Sequence, residues 1–347
     1  MPRILWLDIN CSYVHSSLAL PYIHAQRRSE DNEWHKLSAT ISANTGDTMA
    51  KAVALRPDIV AATAWLFTQE YLTGVIKRIK TVLPECTVIL GGPEFLGNNE
   101  SYLTVNSEVN CVFRGEGDTV FHDWLEVYDK PEKWSGITGL CWKTGDKYHD
   151  NGTAKADDFA ALNPPETSEF FEWSKPFVQL ETSRGCFNSC TFCVSGHDKP
   201  VRSISLNKIY ERVENIHSKG IKEIRFLDRT FNGNSKRALE ILSILENYPD
   251  MRFHMEIHPG LLTEEIKQKL RNFRHGMLHL ETGIQSLNDT VLNACQRTGD
   301  TEKALDGLKF LCGLKNVIAH VDLIAGLPFY TLDDLEKDII TLAQYGA

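Results

Sequence analysis

Three cysteines, Cys186, Cys190 and Cys193, stand in the run Glu181-Thr-Ser-Arg-Gly-Cys-Phe-Asn-Ser-Cys-Thr-Phe-Cys193. Their C-x3-C-x2-C spacing supplies three thiolates from one short loop and no fourth beside them. A cubane [4Fe-4S] cluster is ordinarily held by four thiolates. Three leave one iron open to chelate a ligand. Gly185 permits a tight turn before the first cysteine, and Phe192 stands where it would shield a cluster from water. A zinc site usually wants four ligands, often as paired C-x2-C units. The sequence holds no second pair and no C-x2-C…H-x3-H partner. The remaining cysteines, Cys11, Cys86, Cys111, Cys141, Cys295 and Cys312, mostly sit singly in apolar or turn contexts and read as small buried hydrophobes.

The cysteine loop follows an apolar strand over 178–182 and opens a series of strand–helix units. The helix from Ser205 carries Leu206, Ile209, Val213 and Ile216 on one face and stops at Gly220. Further strands are expected at 223–227, 252–257, 276–280 and 317–325. Helices capped by Ser235, Thr263 and Thr331, and one carrying Ala304, Leu308 and Leu311, alternate with them. Five such units predict most of a barrel-like α/β domain over 176–347, ending before a sixth strand. Polar residues at its strand ends are where active sites of such folds gather.

Upstream, residues 1–128 alternate strand and helix signals of their own. Apolar strands at 4–9, 34–41, 58–65, 87–90 and 111–113 predict a doubly wound parallel sheet. Helices are expected over 18–28, 49–55 and 72–82, with Asp118 capping a last one. Gly91-Gly92 and Gly115-Glu116-Gly117 fall at strand ends, where such sheets bind ligands. Residues 129–175 break the pattern and read as a hairpin and an extended linker.

The 347 residues allow two domains with sizeable cores. A formal net charge of -9 argues against a broad nucleic-acid footprint and against an anionic membrane surface. The start has no long apolar core, so no signal peptide is expected, and no apolar run reaches transmembrane length. An odd count of nine cysteines is no disulfide framework, so a reducing cytoplasm is the expected location.

The cysteine run resembles the cluster loop of radical S-adenosylmethionine (SAM) enzymes. The residues before it, through Pro57-Asp58-Ile-Val60, Gly91-Gly-Pro-Glu94 and Arg114-Gly-Glu-Gly117, resemble the cobalamin-binding module that precedes some radical SAM barrels. Tyr13-Val-His-Ser-Ser-Leu-Ala-Leu20 and Phe226-Leu-Asp-Arg-Thr-Phe-Asn232 are similar to an uncharacterised bacterial branch of that superfamily. The resemblance implies an N-terminal Rossmann-like, cobalamin-binding domain and a partial (β/α)6 barrel. It implies three cofactors: a [4Fe-4S] cluster on Cys186, Cys190 and Cys193, SAM on its open iron, and cobalamin. Asp228 would lie at the SAM amino group, with capping of the next turn as the alternative. Glu256, Glu281 and Gln285 would contact SAM methionine and ribose, and Gly326 would lie in the adenine-side turn. Asn10, Tyr13, Gly91, Gly92, Glu94, Gly115, Glu116 and Gly117 would line the cobalamin site. Arg184 would neutralise charge or brace its loop. Many cobalamin modules carry Asp-x-His-x-x-Gly after the first strand. Here Asn10 replaces His and Tyr13 replaces Gly, so cobalt would lack that ligand unless His15 substitutes.

The expected reaction is methyl transfer to an unactivated carbon. One SAM would methylate cobalamin, and another would yield the 5′-deoxyadenosyl radical that abstracts hydrogen from substrate. Alternatives are a radical SAM rearrangement, cyclisation or sulfur insertion, and a non-catalytic cobalamin or iron–sulfur binding protein. The expected partners are a small-molecule or peptide substrate, bound between the domains, and a reductant such as flavodoxin or ferredoxin. No nucleic acid or membrane is expected.

Overall fold

The computed structural model describes residues 2–29, 32–156, 158–196 and 198–346. It divides into two units, with the boundary between Glu172 and Trp173.

The first unit is built on apolar strands that alternate with short helices. These are β1 (Arg3–Asn10), α1 (Ala19–Ala25), β2 (Glu33–Thr40), α2 (Thr45–Ala54), β3 (Ile59–Thr63), α3 (Gln69–Val82), β4 (Thr87–Gly91), α4 (Glu100–Val105), β5 (Cys111–Phe113) and α5 (Val120–Leu125). The hairpin β6 (Leu140–Thr144) and β7 (Lys147–Asp150) follows. Strand order is β2-β1-β3-β4-β5-β6-β7. The first five strands run parallel, and the hairpin adds antiparallel onto β5. The order reverses between β1 and β3, the crevice where doubly wound sheets take ligands.

Alternation along each strand explains the two cores. Leu5, Leu7, Val60, Ala62, Val88 and Leu90 pack under α2 and α3 with Leu72, Val75, Ile76 and Ile79. Their neighbours Ile4, Trp6, Ile59, Ala61 and Ile89 pack under α1 and α5 with Ile23, Phe121 and Trp124. Both faces are covered, so the strands read as continuous apolar runs.

Residues 129–175 do more than link. The hairpin extends the sheet, and the segment after it folds back on the first unit. Glu116 Oε2 accepts from Ala156 N at 2.8 Å, and His24 Nδ1 lies 3.0 Å from Ser168 Oγ.

The second unit comprises β8 (Val178–Leu180), β9 (Ser183–Arg184), β10 (Arg202–Ser203), α6 (Leu206–Ser218), β11 (Glu223–Phe226), α7 (Ser235–Leu245), β12 (Arg252–Glu256), α8 (Glu264–Arg271), β13 (Leu278–Gln285), α9 (Asp289–Ala294), α10 (Thr301–Cys312), β14 (Val317–Leu323) and α11 (Leu332–Gln344). Five parallel strands stand in chain order, β8-β11-β12-β13-β14, as in an opened barrel.

Two expected caps are corrected. Asn234, not Ser235, caps α7 by accepting from Arg237 N. Thr119, not Asp118, precedes α5, with no side-chain cap bond. Ser205 and Thr263 cap as expected, and Thr331 forms a capping box with Asp334. No helix among the described residues is long and apolar enough to cross a membrane.

Candidate functional site

The cysteine loop rises from the end of β8 and is closed at its base by β9 pairing antiparallel with β10. Two glycines let it fold on itself. At Gly185 φ is +94°, and a Cβ would stand 2.6 Å from the Asp198 carbonyl oxygen. That same oxygen accepts from Cys186 N at 3.0 Å. At Gly196 a Cβ would stand 2.4 Å from the Cys190 carbonyl oxygen. The loop is tied sideways to the segment after α9. Buried Asn188 accepts from Thr298 N at 2.9 Å and Thr298 Oγ1 at 2.6 Å, and Thr191 N donates to Cys295 O at 2.9 Å.

Cys186, Cys190 and Cys193 line one cavity of about 190 Å³. Among the described residues no three His, Cys, Asp or Glu side chains are gathered closely enough to hold a metal ion. Arg297 Nη1 lies 3.9 Å from Cys190 Sγ, and its other Nη donates to the Gly283 carbonyl. Burial pushes the Cys190 thiol up, and the Arg297 guanidinium opposes this. Ser195 N donates to Cys193 Sγ at 3.4 Å.

The opposite wall comes from the ends of β12, β13 and β14, which place Glu256, Glu281 and Asp322 in this cavity. Period-two alternation explains it. Phe253 and Met255 on β12, and Leu278 and Leu280 on β13, are buried on the helix-covered face, so the residues between them face inward. His254 Nε2 lies 3.0 Å from Glu281 Oε2. The His254 ring holds the Glu281 carboxyl well below the usual range, and a hydrogen bond to Asp322 adds to this. Asp322 is pushed up, by burial first and then by the Glu281 carboxylate. Burial also raises Glu256.

Gln285 completes this wall through a register shift between Gly283 and Gln285. Its φ is +71°, uncommon for a residue with a side chain. A Cβ on Gly283 would meet Gln285 Nε2 at 2.2 Å, so the glycine makes room for the folded-over amide. Gln285 Oε1 is buried without a hydrogen-bond partner, as is His258 Nδ1 on the same cavity. Burial lowers the His258 ring to about 4, with Arg297 adding to the effect.

Asp228 departs from expectation. It is 2% exposed, and its carboxylate accepts from Thr182 N at 2.8 Å, Ser183 N at 2.6 Å and Thr182 Oγ1. It braces the end of β8 and does not line the cavity, whereas its neighbours Arg229 and Thr230 do. Gly326, at φ +82° in the turn after β14, also lies off the cavity wall. Arg184 braces its loop through Glu181, at 3.0 Å.

In the first unit a second cavity, of about 150 Å³, opens between the sheet and α1 and α5. Gly91, Gly92, Gly115 and Gly117 all line it, with Trp6, Ala61 and Phe113. Gly92 and Gly115 are demanded by backbone approach, because Cβ atoms there would stand 2.7 Å from Ala64 O and 2.1 Å from Ala154 O. Asn10, Tyr13, Glu94 and Glu116 do not line the cavity. Asn10 ends β1, Tyr13 is exposed on the loop after it, and Glu94 lies in the turn after β4. His15 Nδ1 turns to its own loop, 3.0 Å from Ser12 Oγ and 3.2 Å from Cys11 Sγ. Leu66 and Phe67 stand exposed on the loop after β3.

Sequence reasoning missed Arg297, His258 and Asp322 in the cysteine-lined cavity. Each is a lone residue in its local run, and only the strand order brings it there.

Residues 180–342 match the family model of the Radical SAM superfamily, and residues 7–125 match that of the B12 binding domain. A Pyrococcus horikoshii protein named as an uncharacterized methyltransferase, PH0819, is 27% identical over 295 residues, covering 82% of this chain and 63% of that one. A tRNA-2-methylthio-N(6)-dimethylallyladenosine synthase from Bartonella bacilliformis is 25% identical over 256 residues, covering 68% and 55%. The chain thus spans less than two thirds of these relatives' lengths. In fold it is similar to the radical SAM methyltransferase TsrM from Kitasatospora setae, with TM-score 0.79 at 17% identity, covering 99% of this chain and 72% of that one. The cobalamin-dependent SAM radical enzyme OxsB aligns with TM-score 0.79 at 16% identity, covering 98% and 52%.

Proposed function

We infer that this protein, a member of the radical SAM superfamily with a B12-binding domain ahead of its radical SAM domain, is a cobalamin-dependent methyltransferase. One observation carries the reading: the three cysteines share a cavity with Glu256 from β12 and with Glu281 and Gln285 from β13. That donor set fits a [4Fe-4S] cluster with SAM on its open iron. When bound, the cluster supplies the electron that cleaves SAM to methionine and a 5′-deoxyadenosyl radical, and cobalamin carries the methyl group.

The chain's own part is holding and shielding. Cys186, Cys190 and Cys193 would hold the cluster, with the Arg297 guanidinium against the Cys190 sulfur offsetting thiolate charge. Glu281, kept ionised by His254, suits two ribose hydroxyl donors. Gln285 Oε1 and His258 Nδ1 offer polar atoms that the protein itself leaves unpaired. In the first unit, the small wall residues Ala61 and Gly91 would leave room for the nucleotide tail of cobalamin, and the exposed Tyr13, Leu66 and Phe67, on the loops after β1 and β3, would offer it apolar cover. Asn10, at the end of β1, stands where other cobalamin modules carry the histidine ligand, and His15 is the substitute its loop offers, with Nδ1 3.0 Å from Ser12 Oγ. The substrate is a small molecule or peptide, and the electron comes from a reductant such as flavodoxin or ferredoxin.

Anaerobic reconstitution tests the reading. One four-iron cluster and bound cobalamin are expected, and SAM should perturb the electron paramagnetic resonance spectrum of the reduced cluster. The Cys186→Ala, Cys190→Ala, Cys193→Ala triple variant should lose the brown absorbance. A triple variant that keeps its cluster overturns the assignment. Cluster and SAM turnover without cobalamin binding would move the protein to a radical reaction without methyl transfer.

A further inference from the structure

Asp338 is a buried carboxylate on α11, away from the wall of the cysteine-lined cavity. Its Oδ2 accepts three hydrogen bonds: from Ser286 Oγ at 3.0 Å, Leu287 N at 2.9 Å and Tyr330 Oη at 2.5 Å. Burial, and then the bond to Asp338, pushes the Tyr330 hydroxyl up to about 12, so it stays protonated and donates. Hydrogen bonds to an ionised acceptor are roughly twice as strong as neutral ones. Three of them converging on one oxygen make a rigid tie between the end of β13, the turn after β14 and α11.

The tie falls beside two strained residues. Gln285 has φ +71° and Phe329 has φ +63°, and Asp338 holds the residue that follows each. Such backbone persists only where the surroundings over-determine it. On the sheet side, Ile324 N donates to the Gln285 carbonyl at 3.1 Å, and Arg297 donates to that of Gly283. On the helix side, the holding groups are those of Asp338. Successive side chains along a strand point to opposite faces. Ser286 is fully buried on the helix-covered face, and Gln285 lines the cavity. Fixing the first therefore directs the second. Gln285 Oε1 has no hydrogen-bond partner among the described residues, so the direction of the amide rests on the backbone that carries it.

We propose that Asp338 is a positioning residue for the SAM site: from α11 it fixes Ser286 and Leu287 and thereby aims the Gln285 amide into the cysteine-lined cavity. The proposal rests on the reading of this cavity as a SAM site. It makes α11 part of the binding machinery although Asp338 itself does not touch the ligand.

The test is a double-mutant cycle, read by calorimetric titration of the anaerobically reconstituted full chain with SAM. Gln285→Ala should weaken SAM binding by about tenfold, the loss of one hydrogen bond to the ligand. Asp338→Asn keeps the shape but removes the charge, and should weaken SAM binding by a similar factor with iron content unchanged. If Asp338 acts through Gln285, the double variant should bind no more than about twofold more weakly than either single one. A residue that only stabilises the fold would instead give independent losses that multiply to about a hundredfold. Ser286→Ala, which removes one hydroxyl, carries the same comparison should Asp338→Asn fail to retain its iron. Multiplying losses overturn the proposal. So does wild-type SAM affinity in Gln285→Ala, or in a folded Asp338→Asn. If wild type binds no SAM and SAM leaves its cluster spectrum unchanged, the SAM reading itself fails and the positioning role falls with it.

Discussion

Gly91 and Gly92 are adjacent in sequence, line the same cavity, and should respond to substitution in opposite ways. Gly91 ends β4, and a Cβ there meets only Phe113 Cβ at 3.9 Å, an ordinary contact. Gly91→Leu would extend its side chain into the cavity of about 150 Å³ beside Trp6 and Ala61. At about 0.8 kcal/mol per buried carbon, four carbons are worth up to about 3 kcal/mol. Lost rotamer freedom of about 0.5–1 kcal/mol offsets part of that. The variant should therefore be as stable as wild type or more stable by about 2 kcal/mol. Gly92 has φ +107°, and its Cβ would stand 2.7 Å from both Ala64 O and Thr63 Cγ2. Gly92→Ala should cost about 2–4 kcal/mol through strain and backbone clash. Urea denaturation followed by circular dichroism measures both. Absorbance titration with cobalamin then separates stability from function: Gly91→Leu should weaken binding by about tenfold or more while staying folded. Wild-type cobalamin affinity in Gly91→Leu would refute the use of this cavity. Wild-type stability in Gly92→Ala would refute the close-approach argument.

Other outcomes follow from the second unit. Asp228→Ala strands the Thr182 and Ser183 amides and should cost about 3 kcal/mol or more in urea, with SAM affinity of the folded protein changed less than twofold. A selective loss of SAM binding without lost stability would return Asp228 to the SAM site. For His258 the folded value, about 4, lies below the ordinary 6.5. The unfolded chain thus takes up the proton first as pH falls, and stability drops between those values by up to about 3 kcal/mol, then levels. The difference in unfolding free energy between wild type and His258→Gln should show that slope, and a flat difference across pH 4–7 would contradict it. Arg297→Gln removes the guanidinium beside Cys190, so the cluster midpoint in a redox titration should move negative by on the order of tens of millivolts. An unchanged midpoint would separate Arg297 from the cluster.

The cysteine triad was legible because its signal is local: spacing and a flanking glycine lie within one short run. Glu256, Glu281 and Gln285 were legible through a regularity of folds, that polar residues at the ends of parallel strands face a common mouth. The alternation of apolar strands and helices likewise announced both units, since a parallel sheet covered on both faces needs such runs. The hairpin was visible, but its pairing with β5 was not, because edge pairing depends on a partner some 30 residues away.

What only the tertiary structure decided were directions and partners across long separations. A strand-end aspartate can face a cavity or turn back, and Asp228 turns back because Thr182 and Ser183, some 45 residues upstream, present unpaired donors to it. Asp322 meets Glu281 because β14 lies beside β13. Arg297 reaches Cys190 across more than 100 residues. Gly91 and Gly92 look alike in the sequence, yet one leaves open space and the other admits a carbonyl. Residue type and spacing determine which chemistry a chain can offer. Which groups share a cavity, and which are consumed in holding the chain together, is set by burial and hydrogen-bond satisfaction, and those exist only once distant segments have met.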